Sequence, residues 1–318
     1  MSGPLPRTLA VTGAGGYLGS RLVADLAEAG AAVRAVVRAP VSWLPVVDQQ
    51  VVDLLDPIAT VAASFAGADT VVHLAGHNEV VAAADPDRAL AETVVAGQHV
   101  VEAAAAAGVG RLVYVSTIHV YGEALAPGAT VDETVAPAPR GAYAVARLAV
   151  EHLVASGPDP VVFRLSNAVG APAHGEVDRW TLVAADLCRA AATTGELVLR
   201  STGQQWRDFI SLADVVRALV AGSDPGAVPA GTYNLVSGEP RTVRSLAELV
   251  QDRFEERTGS RPPLRAPAPT EPDPEPYRLD PGRLAAVGLR ADQPLATSVD
   301  EIIELCLTAS PSPSGAPT

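Results

Sequence analysis

The order of hydrophobic and polar residues changes regularly along the first half of the chain. Short runs rich in β-branched residues alternate with longer runs rich in alanine and leucine. The short runs predict strands over residues 8–13, 33–38, 69–76, 111–117 and 160–166, and the long runs predict helices over residues 19–30, 91–108 and 143–156. Strands and helices that alternate in this way predict an α/β fold with a doubly wound parallel sheet and right-handed crossovers.

The alternation weakens after Asn167. Proline and glycine accumulate at residues 170–175 and again at 262–276, and the second stretch is predicted to be a long surface loop. Helical patterns remain at residues 211–222 and 245–259. The second half of the chain is therefore expected to be less regular than the first.

These patterns predict how the chain divides. We expect one domain over residues 1–166, to which residues 206–236 return, and a smaller lobe mainly over residues 167–308. Residues 309–318 have the composition of a linker and are predicted to be disordered.

A glycine-rich segment, VTGAGGYLGS, joins the first predicted strand to the first predicted helix. Gly13, Gly16 and Gly19 permit a tight turn and a close approach of the backbone to a pyrophosphate. The start of the following helix supplies free N–H groups and a partial positive charge. Because the glycines lie between a strand and a helix, we interpret the segment as a dinucleotide-binding loop.

Composition and charge exclude several classes of function. The net charge of −13 argues against a nucleic-acid-binding surface, which is usually basic. No uncharged apolar run is long enough to cross a membrane, and the first residues, MSGPLPRT, show no signal-peptide pattern. Cys188 and Cys306 are far apart and fit neither a disulfide framework nor a metal site. We therefore expect a cytoplasmic protein that binds no metal, nucleic acid or membrane.

The spacing TGxxGxxG and a series of later motifs resemble one enzyme family. In chain order the later motifs are DLLD at Asp53, HLAG at His73, VYVSTIHVYG at Val113, YAVAR at Tyr143, RLSNAVG at Arg164 and WRDFISLADVV at Trp206. The chain resembles the extended short-chain dehydrogenase/reductase family, which includes nucleotide-sugar epimerases, dehydratases and ketoreductases. The resemblance implies a Rossmann-type domain, a smaller C-terminal substrate-binding lobe, a nicotinamide cofactor and, in many members, a homodimer.

The end of the second strand bears on the choice between NAD and NADP. An acidic residue there selects NAD, whereas an arginine nearby accommodates the 2′-phosphate of NADP. Here Val37 stands at the acidic position and Arg38 follows it. We therefore favour NADP(H), with NAD(H) as the alternative. The cofactor contacts that the resemblance implies are Gly13, Gly16, Tyr17, Leu18, Gly19, Arg38, Asp53, Leu54, Leu74, Ala75, Tyr143 and Arg147.

The resemblance also implies a catalytic group. Thr117 and Tyr143 correspond to the hydroxyls that bind the reacting carbonyl, with Tyr143 exchanging a proton with its oxygen. The family has a lysine four residues after the tyrosine, whereas this chain has Arg147. Residues i and i+4 share a helix face, so Arg147 is expected beside Tyr143, where it keeps the charge but changes the donor to the nicotinamide ribose. Val94 replaces a common asparagine.

Other residues bear on the substrate. Ile118 and His119 stand where sugar 4,6-dehydratases carry Asp-Glu, which argues against that reaction; His119 is either an acid or base or a polar lining residue. Asn167 resembles a substrate-contacting asparagine. Arg207 resembles an arginine that binds a nucleotide diphosphate, with a salt bridge to a neighbouring aspartate as the alternative.

The second diphosphate arginine of the family has no clear counterpart. Only Arg278 and, further upstream, Arg265 are near the expected position, in an acidic segment. A smaller ketone, a lactone or a polyketide-like intermediate is therefore an alternative to a nucleotide sugar as the substrate.

Three functions remain open from the sequence. The first is an NADP(H)-dependent reductase of a carbonyl on a nucleotide-linked keto-sugar or related intermediate. The second is a nucleotide-sugar epimerase with tightly bound NAD. The third, suggested by Arg147 and Val94, is a cofactor-binding pseudoenzyme or regulatory protein.

Overall fold

The computed structural model describes residues 8–45, 48–268 and 274–308. The strands are β1 Leu9–Thr12, β2 Val33–Val37, β3 Gln49–Val51, β4 Thr70–His73, β5 Arg111–Thr117, β6 Thr130–Val131, β7 Pro160–Leu165, β8 Asn167–Val169, β9 Leu197–Val198, β10 Trp206–Ser211, β11 Gly231–Leu235, β12 Pro240–Thr242, β13 Leu264–Arg265 and β14 Arg278–Leu279. The helices are α1 Tyr17–Glu28, α2 Ile58–Ser64, α3 Glu79–Ala84, α4 Pro86–Ala106, α5 Gly141–Val154, α6 Val183–Thr193, α7 Leu212–Gly222, α8 Val243–Thr258, α9 Gly282–Ala285 and α10 Leu295–Thr308.

The main sheet has seven parallel strands in the order β11-β7-β5-β4-β1-β2-β3. Its central strands are buried along their whole length, as the run RLVYVST of β5 shows. Strands that are buried on both faces read as continuous hydrophobic runs, which is why the sequence pattern located them. The predicted doubly wound Rossmann-type α/β fold is confirmed.

Helices cover both faces of this sheet. Helices α1 and α7 pack in one apolar cluster, and α2, α4 and α5 pack in a second. Helices α4 and α5 approach closely because Gly97 has no side chain: an added Cβ would lie 2.7 Å from Cγ2 of Val150. This contact fixes the position of α5, which carries Tyr143 and Arg147.

Helices α3 and α4 depart from the prediction because of local capping residues. Helix α4 begins at Pro86, five residues before the predicted start, because the Asp85 side chain accepts from the backbone N–H of Arg88 and Pro86 opens the helix. The short helix α3, which the periodicity did not predict, begins after Asn78, whose side chain accepts from the N–H groups of Val80 and Val81.

The second lobe contains a three-stranded sheet, β12-β10-β8, and an apolar cluster formed by α6, α8 and α10. Residues 206–236 are divided between the two lobes. Strand β11 is an edge strand of the main sheet and α7 packs on α1, whereas β10 belongs to the smaller sheet. The predicted domain bounds at residues 166 and 308 stay a prediction.

The region predicted as a long loop contains one short strand. Residues 264–265 form β13, which pairs in parallel with β9. Strands of two residues show no periodicity, so the sequence pattern did not reveal this one. Residues 269–273 of the same region and the predicted tail at 309–318 lie outside the described residues. None of the described helices is long and apolar enough to cross a membrane.

Candidate active site

A cleft of about 1170 Å³ opens at the carboxyl ends of the central strands of the main sheet. The strand order reverses at β1, which lies between β2 and β4, and open α/β sheets bind ligands at such a point. Every site residue predicted from the sequence lines this cleft: Gly13, Gly16, Tyr17, Leu18, Gly19, Arg38, Asp53, Leu54, Leu74, Ala75, Thr117, His119, Tyr143, Arg147, Asn167 and Arg207. The structure therefore brings the residues together, whereas their individual roles stay predictions.

The glycine-rich loop forms a backbone cradle at one side of the cleft. An added Cβ at Gly19 would lie 2.2 Å from the carbonyl oxygen of Gly13, so no larger residue fits there. Gly13 itself has a φ of +69°. Gly16 precedes α1 and provides no side-chain cap, and the first turn of a helix lacks intrahelical acceptors for its N–H groups. These N–H groups are free to bind an anion.

The loop after β4 is held by a buried hydroxyl. Oγ1 of Thr12 lies 2.8 Å from Nδ1 of His73 and accepts from the N–H groups of Leu74 and Ala75, each at 3.3 Å. Burial, with the charge of Arg147 as a second cause, lowers the pKa of His73 to about 3. His73 is therefore neutral near pH 7, and a hydrogen bond joins its Nδ1 to the hydroxyl of Thr12. These contacts place Leu74 and Ala75 beside the glycine loop.

Arg38 and Asp53 lie at the far end of the cleft from Tyr143 in the order of the strands. Arg38 is exposed directly after β2 and forms no ion pair within the described part of the chain. Asp53 is also exposed, and its carboxylate accepts from the N–H of Leu55 at 2.9 Å. Both side chains are available to a ligand.

Thr117, His119 and Tyr143 form a group at the end of β5. Oγ1 of Thr117 accepts from the N–H of His119 at 3.2 Å, which leaves its hydroxyl proton free for donation. The rings of His119 and Tyr143 meet edge to face, with their centres 6.4 Å apart. The three side chains therefore face the same part of the cleft.

Arg147 lies beside Tyr143, as the helical spacing predicts, with its guanidinium carbon 5.4 Å from the centre of the tyrosine ring. Its Nη1 donates to the carbonyl of Val115 at 3.4 Å and its Nη2 to the carbonyl of His77 at 3.3 Å. The residue is buried, and no carboxylate of the described residues forms an ion pair with it. Its positive charge therefore remains uncompensated next to the tyrosine.

A buried ion pair fixes the base of α5. The carboxylate of Glu151 accepts from Nη2 of Arg164 at 2.8 Å and also from the hydroxyl of Ser116, and both charged groups are almost fully buried. Ser116 directly precedes Thr117, so one network joins β5, β7 and α5. Loss of one partner would leave a buried unpaired charge, which is strongly destabilising.

Asn167 on β8 and Arg207 on β10 line the cleft from the smaller sheet. The side-chain nitrogen of Asn167 donates to the carbonyl of Asp208 at 2.8 Å, which leaves its oxygen free. Arg207 donates to the carbonyl of Trp206 at 2.7 Å and pairs with neither Asp208 nor Asp214. Burial, followed by the charge of Arg207, lowers the pKa of His119.

The two arginines considered for the second diphosphate contact do not line the cleft within the described residues. Arg278 is exposed on β14, and Nε of Arg265 pairs with Glu196 at 2.9 Å. Arg179, which the sequence did not indicate, lines the cleft instead. Its Nη2 lies 2.9 and 2.7 Å from the two carboxylate oxygens of Glu79, in an ion pair between the loop after β8 and α3.

Sequence reasoning missed further cleft residues on the loop after β4 and on α4. Nε2 of His77 lies 2.6 Å from Glu92, and the N–H of His77 donates to Thr93 at 3.3 Å. Val94 is half-buried on the same helix, so the polar groups at this wall come from its neighbours. Sequence reasoning missed these cleft residues because they come from separate elements and share no motif. No cluster of three or more metal-binding side chains is present among the described residues.

Comparison with known proteins decides the family. The sequence profile of the NAD dependent epimerase/dehydratase family matches residues 9–235, which include the glycine loop, Tyr143 and Arg207. The chain belongs to this family. The resemblance drawn from the motifs is confirmed, and so is the expectation of an enzyme that uses NAD(P).

Several members of the family are similar over most of their length. GDP-6-deoxy-D-mannose reductase of Pseudomonas aeruginosa is 31% identical over 78% of this chain and 80% of its own. dTDP-6-deoxy-L-talose 4-dehydrogenase (NAD(P)(+)) of Kitasatospora kifunensis is 33% identical over 86% of this chain and 87% of its own.

Solved structures of the family show the same fold. The structure of RMD from Pseudomonas aeruginosa complexed with NADPH has a TM-score of 0.76 and 25% identity, and covers 95% of this chain and 99% of that one. The complex of Thermus thermophilus UDP-glucose 4-epimerase with NAD also has a TM-score of 0.76, with 27% identity over 95% of this chain and 100% of that one. The family thus contains reductases and epimerases on one fold.

Proposed function

We propose that this enzyme is an NADP(H)-dependent reductase of a ketone on a nucleotide-linked sugar. The observation that carries the proposal is that Thr117 and Tyr143 line one cleft together with the glycine loop and Arg207. A cofactor on the glycine loop and a diphosphate on Arg207 would place the reacting carbonyl at these hydroxyls.

The residues present fit a dinucleotide. Gly13 and Gly19 permit the close backbone packing of the loop, and the uncapped start of α1 offers N–H donors to a pyrophosphate. Arg38 supports NADP over NAD because an unpaired guanidinium can bind a 2′-phosphate in a bidentate fashion, whereas a carboxylate would repel it. Leu74 and Ala75 would form the wall of the cofactor site beside the glycine loop.

Three side chains have separate roles in the proposed reduction of the carbonyl. Bound NADPH supplies the hydride that reduces the carbonyl carbon. Thr117 donates a hydrogen bond to the carbonyl oxygen, and Tyr143 gives it the proton that completes the alcohol. The charge of Arg147 stabilises the tyrosine oxygen after that proton has left, and a proton from solvent restores the hydroxyl.

The relatives support the substrate class. Two of them are named as a reductase and a dehydrogenase of sugars carried on GDP or dTDP, and both are similar over most of this chain. Arg207, which has no acidic partner in the described structure, is suited to a diphosphate. Arg179 also lines the cleft, and its ion pair with Glu79 would have to open before it could complete the diphosphate contact in place of Arg278 or Arg265.

The test is a turnover assay with NADPH and a panel of GDP-, dTDP- and UDP-linked 4-keto-sugars. We expect one NADPH to be consumed for each alcohol formed. Tyr143→Phe is expected to lower kcat by about a hundredfold and to change NADPH binding far less. Equal turnover by Tyr143→Phe would refute the role of Tyr143.

Two further observations distinguish the alternative functions. A bound nicotinamide that survives gel filtration, together with interconversion of sugars without net consumption, would identify the epimerase that the neighbouring structures make the second candidate. NADPH binding without turnover of any member of the panel would favour the pseudoenzyme.

Two further properties belong to the proposal. The free cysteines Cys188 and Cys306 support a reducing, cytoplasmic environment. A homodimer through α4 and α5 is supported by Val95 and Val145, whose apolar side chains are exposed on these helices. Light scattering at several protein concentrations tests the dimer, and a monomer at all of them would exclude it.

A further inference from the structure

Gly76 lies against the guanidinium of Arg147, and the contact explains how an arginine fits at this position. An added Cβ at Gly76 would lie 3.2 Å from Nη1, 3.2 Å from Nη2 and 3.3 Å from the central carbon of the guanidinium. The three nearly equal distances place that Cβ over the face of the planar group. Non-bonded carbon atoms prefer separations of about 3.5–4.0 Å, so a methyl group would push the guanidinium away.

The other contacts of Arg147 give it little to resist such a push. Its hydrogen bonds to the carbonyls of Val115 and His77 are 3.4 and 3.3 Å long. Its Nε is buried without a hydrogen-bond partner. No carboxylate in the described residues holds it by charge. The guanidinium is thus held by weak hydrogen bonds and by its contacts with Tyr114 and Tyr143, and the space at Gly76 helps to set its position.

We propose that Gly76 is a positioning residue for Arg147: the missing side chain at residue 76 makes room for a planar guanidinium beside Tyr143. The ammonium of a lysine is a compact charge without a flat face, so it does not need this space. Gly76 and Arg147 thus act as a pair, and the benefit of glycine depends on arginine. The inference rests on the proposed role of Arg147 beside the cofactor and Tyr143.

The backbone gives Gly76 a second reason to be glycine, which the test has to separate. Its φ is +147°, a value that other residues adopt rarely. Alanine is therefore strained at this position whatever residue stands at 147. A double-mutant cycle removes this common cost, because the strain is the same in both backgrounds.

The experiment measures the dissociation constant of NADPH and the pH–rate profile for four proteins: the wild type, Gly76→Ala, Arg147→Lys and the double variant. We expect Gly76→Ala alone to weaken NADPH binding about tenfold and to shift the pH–rate profile, because small displacements at an active site are costly. In the Arg147→Lys background, the same change is expected to leave both quantities nearly unaltered.

Gly231→Ala is the matched control. Gly231 has a φ of +153°, and an added Cβ would lie 2.9 Å from Nη2 of Arg283, outside the residues that line the cleft. It should lower the melting temperature and leave NADPH binding unchanged.

Three results would overturn the proposal. The first is an equal loss of NADPH affinity on Gly76→Ala in both backgrounds. The second is a loss of affinity on Gly231→Ala as large as that on Gly76→Ala. The third is failure of both Gly76→Ala proteins to fold, which would assign the effect to backbone strain. A Gly76→Ala protein that folds only with Arg147→Lys would support it. Because NADPH binding is measured without substrate, the cycle can succeed even if no keto-sugar is reduced.

Discussion

The guanidinium of Arg147 lies over the ring of Tyr143, with its central carbon 5.4 Å from the ring centre. The arginine therefore preserves the charge that a lysine would bring to the tyrosine. It differs from a lysine in its plane, in its donors and in the space it occupies. An arginine at this position is compatible with proton transfer and makes specific demands on its surroundings.

Removal of that charge is expected to shift the pH dependence of turnover. Arg147→Met should shift the pH–rate profile of the reduction, because it removes a positive charge next to the group that transfers the proton. Arg147→Lys should keep the profile near that of the wild type. Rates measured across a pH series test this, and an unchanged profile in Arg147→Met would show that the arginine does not act on Tyr143.

The choice of cofactor is expected to depend on Arg38. Arg38→Ser should weaken NADPH binding about tenfold, which corresponds to the loss of a charged hydrogen bond, and should leave NADH binding almost unchanged. Arg200→Ser is the control, since Arg200 is an exposed arginine outside the residues that line the cleft. A wild-type preference for NADH would contradict the assignment.

Arg207 is expected to control the protonation of His119. Burial is the first cause of the lowered pKa of His119, and the charge of Arg207 is the second. Arg207→Gln should therefore raise the pKa of His119, and NMR titration of the histidine ring measures it. The same variant should bind nucleoside diphosphates more weakly. Arg200→Gln provides the control for the loss of one surface charge.

His73 is expected to make stability depend on pH. Its folded pKa of about 3 lies below that of a free histidine, about 6.5. As the pH falls below about 6.5, the unfolded chain therefore binds a proton at this histidine, whereas the folded chain does not. The contribution of His73 to the free energy of unfolding is therefore complete above about pH 6.5, and it declines as the pH falls towards about 3.

Urea unfolding at several pH values tests this expectation. His73→Asn should reduce the slope of the unfolding free energy between pH 6 and pH 4 by up to about 1.4 kcal/mol per pH unit. The exposed His152 offers the control His152→Asn, which should keep the wild-type slope. An equal slope in wild type and His73→Asn would show that His73 is not protonated on unfolding.

The strands and helices of the main sheet were readable from the sequence because burial imposes a pattern. Strand β5 matches its predicted bounds since every one of its residues is buried. The start of α4 was missed although Asp85 and Pro86 carried the signal of a capped helix. Strand β13 was missed because its two residues pair with a distant partner, β9, and such pairing leaves no local pattern.

The same dependence on local patterns explains which residues of the candidate site were predicted. Residues in motifs, such as Gly13 and Tyr143, were found because their spacing is local. Glu79 and Arg179 were missed because they are 100 residues apart in the chain and meet through folding alone. Gly76 was missed for a related reason, since its significance depends on which side chain reaches it from α5.

The first turn of α1 belongs to both halves of the molecule. The hydroxyl of Tyr17 donates to the carbonyl of Gly170 at 2.9 Å, so the helix that would receive the cofactor phosphates is bonded to the backbone leading into the second lobe. A movement of this turn on cofactor binding would therefore pass to the backbone after Gly170. Thermodynamic linkage would make such an effect mutual: any factor by which the cofactor improved substrate affinity would equal the factor by which the substrate improved retention of the cofactor.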